Sequence, residues 1–153
     1  MGLNFDMSRM EGSPGFLLNQ ANSLMKLGLL HAFKKNGFNI THEHWSILRT
    51  LWDEKRLPQA QLAEKTKKDR PNITRIIDVL GKNGYVQRAI DPDDRRIQNV
   101  TLTEKGKSSQ DRLTPLALRF LEDAFNGVTQ EEYNIFANVL EKVINNLNNS
   151  KNI

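Results

Sequence analysis

The chain has 153 residues, 22 Lys and Arg against 18 Asp and Glu for a net charge of +4, and no cysteine. That length supports one sizeable core, so a single domain spanning 1–153 is the default. The missing thiols exclude disulfides, Cys-based zinc sites and thiol redox sensing. No apolar run is long enough to span a bilayer, and the leading MGLNFDMSRMEGSPG lacks the basic and apolar regions of a signal peptide. A cytoplasmic protein with no membrane partner is therefore expected.

Residues 1 to about 12 carry no strong signal. From Phe16 to about Lys35 a helix is predicted, with Leu17, Ala21, Leu24, Gly28 and His31 on one face. Phe16, Leu18, Met25, Leu29, Leu30 and Phe33 widen its apolar surface beyond one stripe, so this helix needs more than one neighbour. Gly37 ends it. Thr41 can cap a second helix, His42 to about Glu54, with Trp45, Leu48, Leu51 and Trp52 at helical spacing. Pro58 is read as opening a third helix, with Leu62 and Ala63 toward the core and Lys65, Lys67 and Lys68 outside.

Asp69 is a good N-cap for a fourth helix and Pro71 suits its start. Ile73, Ile76, Ile77 and Leu80 recur at i, i+3, i+4 and i+7, a helical stripe. Arg70, Asn72, Thr74 and Arg75 fall largely off that stripe and crowd the N-terminal turns. Gly84 suits the left-handed position after the helix. Two half-apolar runs, Tyr85 to Ile90 and Ile97 to Leu102, flank Asp91-Pro92-Asp93-Asp94-Arg95-Arg96 and predict a hairpin. Thr103-Glu104-Lys105-Gly106 begins a long helical pattern through Leu113, Ala117, Phe120 and Leu121, with a kink or break expected near Arg112 because of Pro115. Gly127 terminates it, Thr129 to Glu132 matches a capping box, and a last helix runs through Phe136, Leu140, Val143 and Leu147.

A helix-turn-helix whose second helix has a polar leading end, followed by a cationic hairpin, is the layout of a winged helix. The helix would enter a major groove and the wing would carry arginines to the adjacent minor groove. Charge follows the same division. From Lys55 to Lys107 there are thirteen Lys and Arg against seven Asp and Glu, a net of +6, while the remainder carries −2, as phosphate neutralisation requires. The fold class is thus mainly α with a small β-hairpin wing. Residues about 41–107 form the DNA-binding lobe, and about 12–40 and 108–148 supply apolar helices that intertwine in a homodimer.

Trp45-Ser46-Ile47-Leu48-Arg49, Gln61-Leu62-Ala63-Glu64, Asn72-Ile73-Thr74-Arg75, Leu80 with Gly84-Tyr85-Val86, the wing Asp91 to Arg96, and Leu102-Thr103-Glu104-Lys105-Gly106 follow one another at fixed spacings. In these pieces the chain resembles the MarR family of bacterial transcription regulators over nearly its whole length. The resemblance implies a winged-helix homodimer that binds a pseudo-palindromic operator in double-stranded DNA. Such regulators commonly repress nearby genes and are often released by a small molecule. Arg75 and its helix neighbours match the major-groove reader, Arg96 the minor-groove arginine, and Asp94 the acid that orients it. Arg95 stands where the family varies and is expected only to touch phosphate. Lys67, Lys68, Arg70, Asn72, Thr74, Arg75, Asp94, Arg95 and Arg96 are accordingly the candidate DNA-binding residues.

The family's effector pocket lies between the first, second and fifth helices. Met25, Gly28, His31, His42, Trp45 and Arg49 are the candidates for it here, and Arg49 or a histidine would either pair with an aromatic or anionic effector or hold a structural hydrogen bond. Trp45 weighs more toward the core than toward a ligand. Arg75 could instead pair with Asp78, three residues along its own helix, an exposed contact of little energetic value. His42 and His44 are two apart and point to different faces, so no metal site and no cofactor are expected. No Ser/His/Asp spacing or Gly-rich phosphate loop supports an enzyme. The remaining alternative is a nonspecific architectural DNA-binding protein without an effector.

Overall fold

A computed structural model describes residues 2–5 and 8–150; the ends of the expected 1–153 domain fall partly outside them. By its internal contacts the chain divides after residue 120 into a larger and a smaller unit.

The larger unit opens with a 3-10 turn at Met10–Gly12 and helix α1, Pro14–Lys35. Ser13 caps α1 by accepting the Phe16 amide, with Pro14 at the first helical position. Helix α2, His42–Glu54, follows Thr41, and α3, Gln59–Lys65, leads through a tight turn to α4, Arg70–Lys82. Asp69 caps α4 as expected, its Oδ1 accepting the Asn72 amide at 2.8 Å. The α4 stripe is buried: Ile73, Ile76, Ile77 and Leu80 join Phe33, Ile40, Leu48, Leu51 and Leu62 in one core. Truncating one of the fully enclosed side chains such as Ile77 to alanine costs about 2–5 kcal/mol.

The wing is larger than a hairpin. Strands β2, Val86–Ile90, and β3, Gln98–Leu102, pair antiparallel, and a third strand β1, Arg56–Pro58, pairs with the far edge of β3 in the order β1-β3-β2. Sequence patterning misses β1 because three residues carry no period. Pro58 therefore ends a strand and precedes α3 rather than opening it, its missing N–H harmless on an edge strand. Gly106 is buried at the root of the wing, where an added Cβ would lie 2.0 Å from the Tyr85 carbonyl oxygen. Only glycine permits that approach of backbone to backbone.

The helical pattern after the wing is two helices, α5, Glu104–Ser108, and α6, Gln110–Ala124. Their junction is Ser109, three residues ahead of the expected break, where the hydroxyl donates to the Gly106 carbonyl at 2.7 Å. Pro115 sits inside α6 without ending it, because the carbonyl it strands, that of Asp111, belongs to an exposed residue that water can serve. Helix α1 buries only Leu29 and Phe33. The face that sequence periodicity put first is largely open: Leu17, Leu24 and His31 are exposed, while Gly28 packs on Phe120.

In the smaller unit, helix α7, Gln130–Asn149, begins at the expected capping box. Glu132 accepts the Thr129 amide at 2.8 Å, and Thr129 Oγ1 accepts the Glu132 amide. These contacts hold the Glu132 carboxyl below the usual carboxylate range, the Thr129 backbone amide contributing most. Phe125 packs edge-on to Tyr133. No residue of α7 is buried, and Ile135, Val139, Ile144 and Leu147 all stand open on a 20-residue helix.

Candidate nucleic-acid interface

Helix α4 presents its first two turns outward. Asn72 Oδ1 accepts from Arg75 Nη2 at 3.0 Å, so Arg75 is steadied by Asn72 and not by Asp78. Thr74 Oγ1 donates to the Arg70 carbonyl and accepts from Gln59 Nε2 at 2.8 Å. Asp78 is occupied from another element: Arg88 on β2 donates from Nη1 to its Oδ1 at 2.6 Å, and from Nε to Gln59 Oε1 at 3.1 Å. Arg88 thereby fastens the wing strand to α4 and to the first turn of α3. Neither Arg88 nor Gln59 stands out in the sequence. A lone arginine in a half-polar strand gives only its exposure, and its partners are 10 and 29 residues away.

The turn before α4 places Lys67 in the left-handed region, φ 54°, and exposed, with Lys68 half-buried beside it. At the tip of the wing, Asp91 organises the loop. Its Oδ1 accepts the Asp93 and Asp94 amides and its Oδ2 accepts from Asn99 Nδ2 at 2.7 Å. The Asn99 side chain, together with these amides, holds the Asp91 carboxyl below the usual range. In the sequence Asp91 reads only as a turn former and Asn99 only as a strand residue, although an asparagine buried in a strand needs a partner.

Arg96 is gripped by Asp94 through three donors. Its amide and Nε reach Oδ1 at 3.0 and 3.1 Å, and Nη2 reaches Oδ2 at 3.0 Å. The guanidinium, foremost, holds the Asp94 carboxyl below the usual carboxylate range. Yet the Arg96 side chain is 90% exposed, a cation fixed in direction and open to a ligand. Arg95 beside it is exposed as well.

The candidate effector residues are only partly brought together. Trp45 is buried between Phe33 and Trp52, with ring centroids 5.3 and 5.4 Å away, and the Arg49 guanidinium stands 5.9 Å over its ring. Gly28 faces the Phe120 ring, which an added Cβ would meet at 2.3 Å, so no ligand reaches it unless Phe120 moves. Met25 and His42 are half-buried, while His31 lies on the exposed side of α1. Burial, then the charge of Lys26, pushes the His42 imidazole down, and its buried Nδ1 has no hydrogen-bond partner. His44 is also pushed down, chiefly by burial. Its Nδ1 accepts the Thr41 amide while Thr41 Oγ1 accepts its own, a capping box with histidine in the acid's place. The described residues hold no cluster able to bind a metal, and no described helix is long and apolar enough to cross a membrane.

A profile of the MarR family matches residues 40–98, the span from the start of α2 to the wing. The HTH-type transcriptional regulator PrsX of Escherichia coli is 31% identical over 112 residues, 72% of this chain and 68% of its own. The chain belongs to the MarR family. Among solved structures of similar shape, a probable transcriptional regulator from Pseudomonas aeruginosa superposes with a TM-score of 0.82 at 27% identity, covering 88% of this chain and 99% of that one. A mutant MarR from Escherichia coli complexed with operator DNA superposes at 0.79, with 22% identity and coverage of 84% and 91%, and shares the fold. The MarR-family winged helix, mainly helical with its small antiparallel sheet, is therefore the architecture of this transcriptional regulator.

Proposed function

We propose that the protein is a homodimeric, sequence-specific DNA-binding regulator, a repressor that holds a pseudo-palindromic operator and releases it to a small effector. The observation that carries this reading is Arg96, pinned by Asp94 and still 90% exposed at the wing tip. A cation so placed fits a minor groove, while Arg70, Asn72, Thr74 and Arg75 face a major groove from α4. Lys67, Lys68 and Arg95 neutralise phosphates around them.

The dimer rests on the open apolar faces of the outer helices. Leu24 on α1 is 61% exposed and, in the smaller unit, Leu147 on α7 is 67% exposed; open apolar helix surface of that kind marks an interface. Residues about 12–40 and 108–148 are the dimerisation helices in this reading, and about 41–107 the reading head. Two heads on one two-fold axis meet half-sites about 34 Å apart. The effector reading rests on Trp45 and Arg49, an aromatic face and a cation side by side, suited to an aromatic or anionic compound.

Footprinting the DNA beside the protein's own gene tests specificity and symmetry together. A protected palindrome, bound orders of magnitude more tightly than random sequence at physiological salt, supports the regulator. Equal affinity for all sequences makes it an architectural protein, and a monomer by sedimentation removes the two-headed arrangement.

A further inference from the structure

Arg88 faces α4, and strand alternation turns its neighbour Gln87 to the other side of the sheet. Thr101 is the register partner of Gln87 and points the same way, so the two sit together at the root of the wing, away from the reading helix. There a half-open cleft of about 560 Å³ lies between them, the C-terminal end of α2 and the α5–α6 junction. That volume is in the range of sites for small ligands. Trp52 supplies its open apolar surface, with Leu51 and Leu102 buried in the core beside it, and two lysines, Lys55 and Lys107, line it with no carboxylate among the lining residues.

Three further facts give the cleft direction. Lys55 is the residue at which α2 ends, at φ 63°, a conformation that L residues rarely hold. It has no ion-pair partner among the described residues. Lys107 has one, Glu104 at 2.7 Å, but that carboxylate is 91% exposed and water replaces it at little cost. The Trp52 indole N–H is spent on the Gly106 carbonyl at 2.9 Å, which fixes the ring and leaves its edge and face as apolar wall.

We propose that this cleft binds a small amphipathic organic anion, a carboxylate carried on an apolar ring or branched chain. The carboxylate sits between Lys55 and Lys107, within reach of the neutral polar groups of Gln87 and Thr101, and the apolar body lies on the Trp52 ring. The site is separate from the Trp45–Arg49 pair and does not depend on the DNA-binding reading.

Benzoate is the probe, titrated into the full-length protein and followed by amide and indole N–H shifts in two-dimensional NMR. Saturable shifts confined to Trp52, Gln87, Thr101 and the α5–α6 junction are expected. The double variant Lys55→Gln, Lys107→Gln should keep the native spectrum and bind benzoate on the order of tenfold or more weakly, the loss of at least one charge-assisted contact. Benzyl alcohol, of the same shape without the charge, should bind at least as weakly. Undiminished binding by the double variant overturns the proposal, as do shifts centred on Trp45 and Arg49. Binding of inorganic phosphate but not benzoate also overturns it, since the apolar wall would then contribute nothing.

Discussion

Arg88 offers the sharpest test of how the reading head is held. Its side chain is 31% exposed and that of its partner Asp78 is 50% exposed, so the ion pair, discounted for solvent screening, is worth under about 1 kcal/mol. The Nε bond to Gln59 Oε1 adds about 0.5–1.5 kcal/mol, and the 3.4 Å approach to the Thr74 carbonyl adds little. Arg88→Ala should therefore lower stability by about 1–2 kcal/mol, read as a shift in the urea midpoint at fixed protein concentration. Asp78→Asn should cost less, and the double variant should show a coupling of roughly 0.5–1 kcal/mol in the cycle. The DNA readout separates positioning from contact. If Arg88 only holds α4 against β2, operator affinity falls while its dependence on salt keeps the same slope, because that slope counts neutralised phosphates at about 0.9 each. Arg88→Lys, which keeps the charge and loses the planar fork, should then behave like alanine. Zero coupling with Asp78 would refute the clamp, and a salt slope reduced by about 0.9 per half-site would make Arg88 a phosphate contact.

Other expectations follow from the same geometry. Arg96→Ala should weaken operator binding and flatten its salt dependence without changing the dimer; unchanged affinity rejects the wing assignment. Arg75→Ala should cost about 1–3 kcal/mol of binding if it reads a base, and equal losses on operator and random DNA reduce it to a phosphate contact. Gly106→Ala should cost on the order of 1–3 kcal/mol or more in urea unfolding, since the added methyl meets the Tyr85 backbone at 2.0 Å. The α2 cap should titrate. His44 in the folded state lies below its ordinary value of about 6.5, so the unfolded chain takes the proton first. The stability this neutral imidazole contributes is complete above about pH 6.5 and is lost as pH falls from there through the folded value. His44→Gln, which can keep the reciprocal cap, should flatten the fall in melting temperature between about pH 7 and 5, with His42 supplying what remains. An unaltered pH profile would show that the cap is not the titrating element.

What the sequence conveyed was what is local. The four-residue stripe of α4, the Asp69 cap, the Thr129–Glu132 box and the wing turn each lie within a dozen residues, and each is where the pattern put it. What escaped it depends on pairing at a distance. Strand β1 exists because Leu57 meets Val100 across the sheet, and three residues have no periodicity of their own to announce that. Arg88 reads as one more exposed cation until Gln59 and Asp78 are brought to it. His44 was hidden differently: a capping box is sought as Ser or Thr followed by Glu or Gln, and an imidazole accepting through Nδ1 satisfies the same geometry. On α1 the apolar surface is nearly continuous, so periodicity could not choose the buried side, and Leu29 with Phe33 won because they face α2 and its Trp45.

The wing shows why such distant pairings matter to a reading head. A long cation on a free loop samples many rotamers, and holding it in a groove costs the freedom it loses. Here that cost is met during folding. Asn99, buried in β3, anchors Asp91; Asp91 gathers the amides of Asp93 and Asp94; and Asp94 takes the Arg96 fork from both sides of the turn. The donors in this relay favour the ionised form of each carboxylate and hold both below the usual range. The relay therefore delivers the guanidinium outward in one orientation, while Arg88 sets the angle between the wing strand and α4. Arg96 at the wing tip and Arg88 between the wing strand and α4 are thus each held by satisfied hydrogen bonds, one set within the loop and the other across elements.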